Sequence, residues 1–180
     1  DGALDRIRVL PGVQSAAGIT FPPLAGLGIG TSFYRLDQPE PADGEAPITD
    51  VRPVTPDLFP TMGIPLLAGR DFTDADASDA PQVAVVSETL VRRHLPGENP
   101  LGKRLHVNIG PDPGMNVEIV GVVGDVKYAS LDAETRPTVY VPMPQLALGL
   151  MNVMVKTALD PLSLTNSVTA AVHEIDPELP

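Results

Sequence analysis

Apolar positions along the chain fall into short runs, most of them cut off by proline or glycine before they reach the length of a long helix. Leu4, Ile7, Val9 and Leu10 recur at near-helical spacing and predict a short amphipathic helix over Ala3–Leu10, stopped by Pro11-Gly12. Gln14–Thr20 follows as a strand. The run Phe21–Thr31 is apolar but holds Pro22, Pro23, Gly26, Gly28 and Gly30, so it predicts a loop whose apolar lining is exposed or faces a partner. Ser32–Leu36 and Thr49–Thr55 predict a hairpin across the acidic, turn-rich Asp37–Pro47. Thr55 is the expected cap of a short helix over Pro56–Met62, which Gly63 ends before Ile64–Leu67.

In the second half, Asp71–Asp79 is expected as a solvated acidic loop and Gln82–Val86 as a strand. Ser87 caps a predicted helix in which Leu90, Val91 and Leu95 share a face and Glu88 pairs with Arg92 at i,i+4, with Pro96-Gly97 as its stop. Arg104–Ile109 and Asn116–Val126 predict strands on either side of the turn cluster Gly110–Gly114. Ile119–Val123 is apolar on both faces, which marks a central strand. Thr138–Pro142 and Asn152–Thr157 add two more strands across Met143–Met151, and Asp160-Pro161 starts a helix with Leu164, Val168, Ala171, Val172 and Ile175 on one stripe. Many short strands with few helices define an α+β class.

Composition sharpens this picture. The 180 residues, 43% hydrophobic but only 4% aromatic, suit one large domain or two small lobes with an aliphatic core. A formal charge of −11 repels a phosphate backbone and argues against nucleic acid as a partner. With no cysteine there are no disulfides, thiolate metal sites or cysteine nucleophiles, and the redox compartment is left open. No run approaches the ~18 apolar residues of a spanning helix. The opening at Asp1 without methionine, and the stop just after Asp176-Pro177, read as a segment cut from a longer protein.

Each candidate for chemistry has a plainer structural reading. Gly97–Lys103 has the spacing of a phosphate-binding loop, but a helix precedes it, a strand follows it, and Arg104 stands where the magnesium-binding hydroxyl belongs, so it reads as a turn. Gly26, Gly28 and Gly30 lack the interval of a dinucleotide fingerprint. Asp74, Asp76 and Ser78 alternate like the first ligands of a calcium loop, but Asp79 and Val85 occupy the glycine and glutamate positions. His94, His106 and His173 fall on separate predicted elements, and no G-x-S-x-G elbow exists. No catalytic, cofactor-binding or metal-binding residue is assigned, and no cofactor is expected.

The segment Val54–Phe72, with Thr55-Pro56-Asp57-Leu58-Phe59 and Gly69-Arg70-Asp71-Phe72 at its two ends, resembles the signature of MacB-like periplasmic core domains of ABC-transporter permeases of the FtsX-like class. The resemblance continues through Pro96–Arg104, Glu118–Val126 and Arg136–Pro142 in the family's order and spacing. It implies a two-lobed domain, with a porter-like α/β lobe over 1–68 and 148–180 and an inserted β-rich lobe over 69–147. It also implies a non-catalytic, extracytoplasmic domain of a cytoplasmic-membrane protein that transmits movement of the membrane helices during export or efflux. The implied partners are the permease's membrane helices, a cytoplasmic ATPase subunit or domain, and a periplasmic adaptor or a second copy. Family domains continue past a segment like Asp176–Pro180 into a further strand, so an open sheet edge is expected here. The residues leave two other readings open. One is a small-molecule, peptide or lipid-binding module with a pocket lined by Phe21–Ile29 and Met143–Met151. The other is a hydrolase using paired carboxylates.

Overall fold

Val83–Ser87 is buried at every position, as is Thr138–Pro142, and strands without a wet face must lie between two packed layers. The computed structural model describes residues 2–25, 28–110 and 113–175 and shows how this is achieved. In chain order the elements are α1 (Gly2–Arg8), β1 (Val13–Ile19), β2 (Ile29–Arg35), β3 (Ile48–Val54), α2 (Leu58–Met62), β4 (Leu66–Gly69) and β5 (Val83–Ser87). They continue as α3 (Glu88–His94), β6 (Arg104–Val107), β7 (Met115–Val123), β8 (Thr138–Pro142), β9 (Asn152–Thr157) and α4 (Pro161–His173). Gly26 of the glycine series, Pro111 and Asp112 of the turn cluster, and Asp176–Pro180 lie outside the described residues.

The sheet runs β2-β6-β7-β5-β8-β3-β1-β9, and β2 also pairs with β3. The strands from β2 round to β3 therefore close into a ring, from which β1 and β9 extend as an antiparallel pair. Two pairings in the ring are parallel, β3 with β8 and β5 with β7; the others are antiparallel. Strands from residues 1–68 thus bond directly to strands from 69–147, at β2–β6, β3–β8 and β4–β7.

Side chains two apart share a strand face, and the core follows that rule. Ala84 and Val86, Leu105 and Val107, Met115, Val117 and Ile119, and Val139 and Val141 fall in one cluster, completed by Leu90 and Leu95 from α3 and its C-terminal end. The alternate positions Val83, Val85 and Tyr140 turn to a second cluster under α2, where Phe59 meets the Tyr140 ring edge-on at 5.1 Å. A third, smaller cluster holds Leu4, Ile7, Ala16 and Ala171, so α1 and α4 pack together on the β1–β9 pair. β7 lies between β6 and β5, as its two apolar faces imply.

Three local expectations need correction. Thr55 does not cap α2: its Oγ1 accepts from the Gly18 amide at 2.7 Å, and Asp57, in the left-handed region at φ 67°, stands at the N-cap. The Glu88–Arg92 pair gives way to a bond from Arg92 to Thr89 Oγ1 at 2.6 Å and an ion pair with Asp125 at 3.8 Å. Asp125 carries more weight there, since its carboxylate accepts from the Thr89 amide (2.8 Å) and hydroxyl (2.6 Å) at the first turn of α3. Asp71–Asp79 is not wholly solvated, because Asp76 is buried within it. Ser87 and Asp160 cap α3 and α4 as predicted, and Gly63 ends α2 at φ 71°.

Candidate functional site

A groove of 530 Å³ lies between α1, the acidic loop and the segment after β8. One wall is apolar: Pro142, Met143, Pro144, Ala147 and Met151, with Leu4 of α1 and Pro56 beside them. β8 ends in the short 3-10 turn Met143–Gln145, whose Gln145 side chain donates to the carbonyls of Ala77 and Pro81 and accepts from the Val83 amide. That side chain ties the apolar wall to the acidic loop opposite.

The facing wall carries charge. Arg70, at the exit of β4, forks onto Asp76 with bonds of 2.8 and 2.9 Å, and the Thr73 amide donates to the same carboxylate at 2.9 Å. The Arg70 guanidinium, with Thr73 in support, holds the Asp76 carboxyl below the usual range. Neighbouring Asp71 moves the other way, pushed up mainly by burial. On α1, Arg8 donates to the Ala16 carbonyl at 3.0 Å and lies 3.3 Å from Asp5 and 3.7 Å from Asp57. Asp74 is exposed on the rim and makes no ion pair among the described residues.

A lowered carboxyl pKa means that Asp76 stabilises the fold above the ordinary carboxylate value of ~4 and loses that contribution as pH falls towards its folded value. Asp76→Asn is therefore expected to be less stable than the native chain in urea unfolding at pH 7. The gap should narrow as the pH is lowered below the ordinary carboxylate value of ~4, and a gap that does not change with pH would trace the cost to packing instead.

The sequence candidates are dispersed. Lys103 of the phosphate-loop lookalike contacts Asp37 at 2.7 Å and Glu98 at 3.0 Å, and Arg35 forks onto the same two carboxylates, so the segment is a braced turn. Gly30 belongs to β2. Asp76 is committed to Arg70, and no metal-holding group of histidine and carboxylate side chains forms among the described residues. His94 meets Phe33 edge-on at 5.0 Å, His106 lies 4.8 Å from the Tyr34 ring, and His173 closes α4. Of the expected pocket walls, Met143–Met151 supplies the groove, whereas no described residue of Phe21–Ile29 lines it. That loop is held elsewhere: Arg52 donates to the Phe21 carbonyl at 2.6 Å and the Leu24 amide to the Tyr128 carbonyl at 2.9 Å.

Arg52 itself escaped sequence reasoning. It is 1% exposed, with its guanidinium carbon 3.4 Å from the Tyr128 ring centroid. The available signal was an arginine between Val51 and Val54 in a strand buried along most of its length.

A closed strand ring with a smaller helix-covered β-pair attached defines a mixed, sheet-rich α/β domain. The chain matches the MacB-like periplasmic core domain over residues 1–175, and it belongs to that family. Its fold is similar to the periplasmic region of MacB from Actinobacillus actinomycetemcomitans, at 19% identity and a TM-score of 0.65, over 96% of this chain and 72% of that one. It is also similar to the extracellular domain of the noncanonic ABC-type transporter YknZ from Gram-positive bacteria, at 16% identity and a TM-score of 0.63, over 97% and 82%. Comparison with curated proteins finds no matching sequence. No helix among the described residues is long and apolar enough to cross a membrane.

Proposed function

We propose that this domain performs no chemistry of its own and transmits conformational change from the membrane helices of its parent permease to substrate or partner proteins outside the membrane. The energy comes from ATP hydrolysed by a cytoplasmic subunit or domain of the same transporter. The two-lobe division, 1–68 with 148–180 against 69–147, belongs to this proposal, with β2, β3 and β4, the last ending at the boundary, as the strands through which the first lobe bonds into the second.

The observation that carries the reading is the junction between the ring and the β1–β9 unit. β1 pairs with β3 at Ile19↔Val54, flanked by bonds from the Thr20 amide to the Pro53 carbonyl and from the Thr55 amide to the Gly18 carbonyl, each near 3 Å. The first and last described helices pack together on the β1–β9 side of that junction, where Arg6 pairs with Glu174. A displacement of either helix passes into the ring through this short connection and through α2, whose Leu58 and Phe59 pack on Ala17 and Ile19.

Residues directly opposite in an antiparallel pair have Cα atoms ~4.5–5.5 Å apart, within disulfide range, and the chain has no cysteine to interfere. Ile19→Cys with Val54→Cys is expected to lock the junction. In the parent permease with its ATPase, oxidation should depress coupled ATP turnover about tenfold, and reductant should restore it, while neither single-cysteine variant responds. Unchanged turnover in the fully cross-linked protein overturns the reading.

A further inference from the structure

The groove beside α1 has a composition that selects a ligand. Its apolar wall includes Pro142 and Pro144, which have no amide hydrogen to offer, and Met143 and Met151, whose flexible thioethers adapt to varied aliphatic shapes. Its volume of 530 Å³ lies within the ~300–1,000 Å³ of ligand pockets. The charged groups are unbalanced: Asp5, Asp74 and Asp76 face Arg8 as the one basic side chain of the lining. Arg70 neutralises Asp76, and Arg8 is shared between Asp5 and Asp57, which leaves Asp5 partly compensated and Asp74 without an ion pair among the described residues, in a chain of formal charge −11.

We infer that the groove binds a cationic, aliphatic peptide segment, with an aliphatic side chain on the Pro142–Pro144 and Met151 wall and a lysine or arginine at Asp74. A peptide suits it better than a small amine because the carboxylates stand on two elements, Asp5 on α1 and Asp74 on the acidic loop, and alternating basic and aliphatic residues meet both. This deepens the partner-contact part of the proposed function and rests on it. The cysteine lock changes no residue that lines the groove, and the groove variants change neither Ile19 nor Val54, so the two ideas fail separately.

The test titrates the domain with fluorescein-labelled hexapeptides of alternating leucine with lysine, serine or glutamate, and with dodecylammonium as the small cationic amphiphile. The leucine–lysine peptide is expected to bind roughly tenfold more tightly than leucine–serine, as two exposed ion pairs allow, with leucine–glutamate weakest and the preference fading as salt rises. Asp74→Asn should weaken the leucine–lysine peptide about threefold and leave leucine–serine unchanged. Ala147→Trp, at an exposed lining position, should abolish binding of both. The methyl NMR signals of Met143 and Met151 should shift on binding, with those of core Met115 fixed. Equal affinity for leucine–lysine and leucine–serine, peptide binding that survives Ala147→Trp, or dodecylammonium occupying a groove that the peptides do not enter would each overturn the inference.

Discussion

Gly69→Ala and Gly121→Ala are each expected to lower the melting temperature by roughly 10 °C, corresponding to about 3–4 kcal/mol in a chain of this length. The two glycines are direct partners in the β4–β7 pairing, where the backbones approach closely. A methyl on Gly69 would collide with the Val120 carbonyl oxygen and come within 2.9 Å of the Gly121 Cα, at a backbone φ of 73° that alanine adopts only under strain. A methyl on Gly121 would strike the Arg70 carbonyl oxygen and sit 3.2 Å from Val85 Cγ2. In both cases the obstacle is backbone, which has no rotamer to yield. Arg70 follows Gly69 directly, so either change should also loosen the Arg70–Asp76 fork. Thermal unfolding followed by circular dichroism measures the effect, and a shift under 3 °C in both variants would show that the strands separate at little cost.

Arg52→Ala is expected to cost about 3–5 kcal/mol, the range for removing one member of a buried charged network. The guanidinium donates to the Phe21 carbonyl at 2.6 Å, lies 3.5 Å from Asp50 and stacks on Tyr128, whose hydroxyl is 3.0 Å from that of Tyr140. Alanine would leave the Phe21 carbonyl without this donor, Asp50 with only distant Arg136 at 3.9 Å, and a void over the Tyr128 ring. Burial already pushes the Arg52 pKa down, so the site tolerates charge because of its partners. Arg52→Met should recover part of the loss by filling the volume, and Arg52→Lys should fall short of native because an ammonium cannot reproduce the planar stack. Urea unfolding gives the order. Hydrogen exchange at the Leu24 amide, now bonded to the Tyr128 carbonyl, gives a local readout: it should quicken in Arg52→Ala beyond the rise set by global stability. Native-like exchange there would mean that the loop is held by other contacts.

Local structure was legible where a residue type has one dominant use. Gly63, Ser87 and Asp160 mark helix ends, and Thr138–Pro142 and Asn152–Thr157 are strands with the predicted bounds, because caps and β-branched runs act over a few residues. The ring was not legible. β2 finds β6 some seventy residues away, Phe33 opposite Val107, and β3 finds β8 across a similar distance, Val51 opposite Val139. Such pairings are selected by which faces pack together, and alternation within one strand cannot name its neighbour. Polar side chains misled in a different way. Thr55 and Arg92 each had a plausible local role but bond to Gly18 and to Asp125 and Thr89, while Asp76, expected in a solvated loop, is buried against Arg70. The groove was half foreseen: Met143–Met151 has no regular pattern and reads as a lining loop, but its opposite wall depends on where β4 and α1 deliver Asp74 and Asp5.

Closure of the strands decides how the domain yields when pulled. An open sheet gives way by unzipping from its outermost strand, one bond after another, at low force. Here β2 bonds to β3 through Ile29–Ser32 and to β6 through Phe33–Arg35, so it links those two strands in series and no ring strand is held by one neighbour alone. Traction on the helix-bearing end should therefore load the Ile19–Val54 joint together with α2, whose Leu58 and Phe59 share a core cluster with Ala17 and Ile19, so the domain bends at a packed elbow and not at a bare hinge.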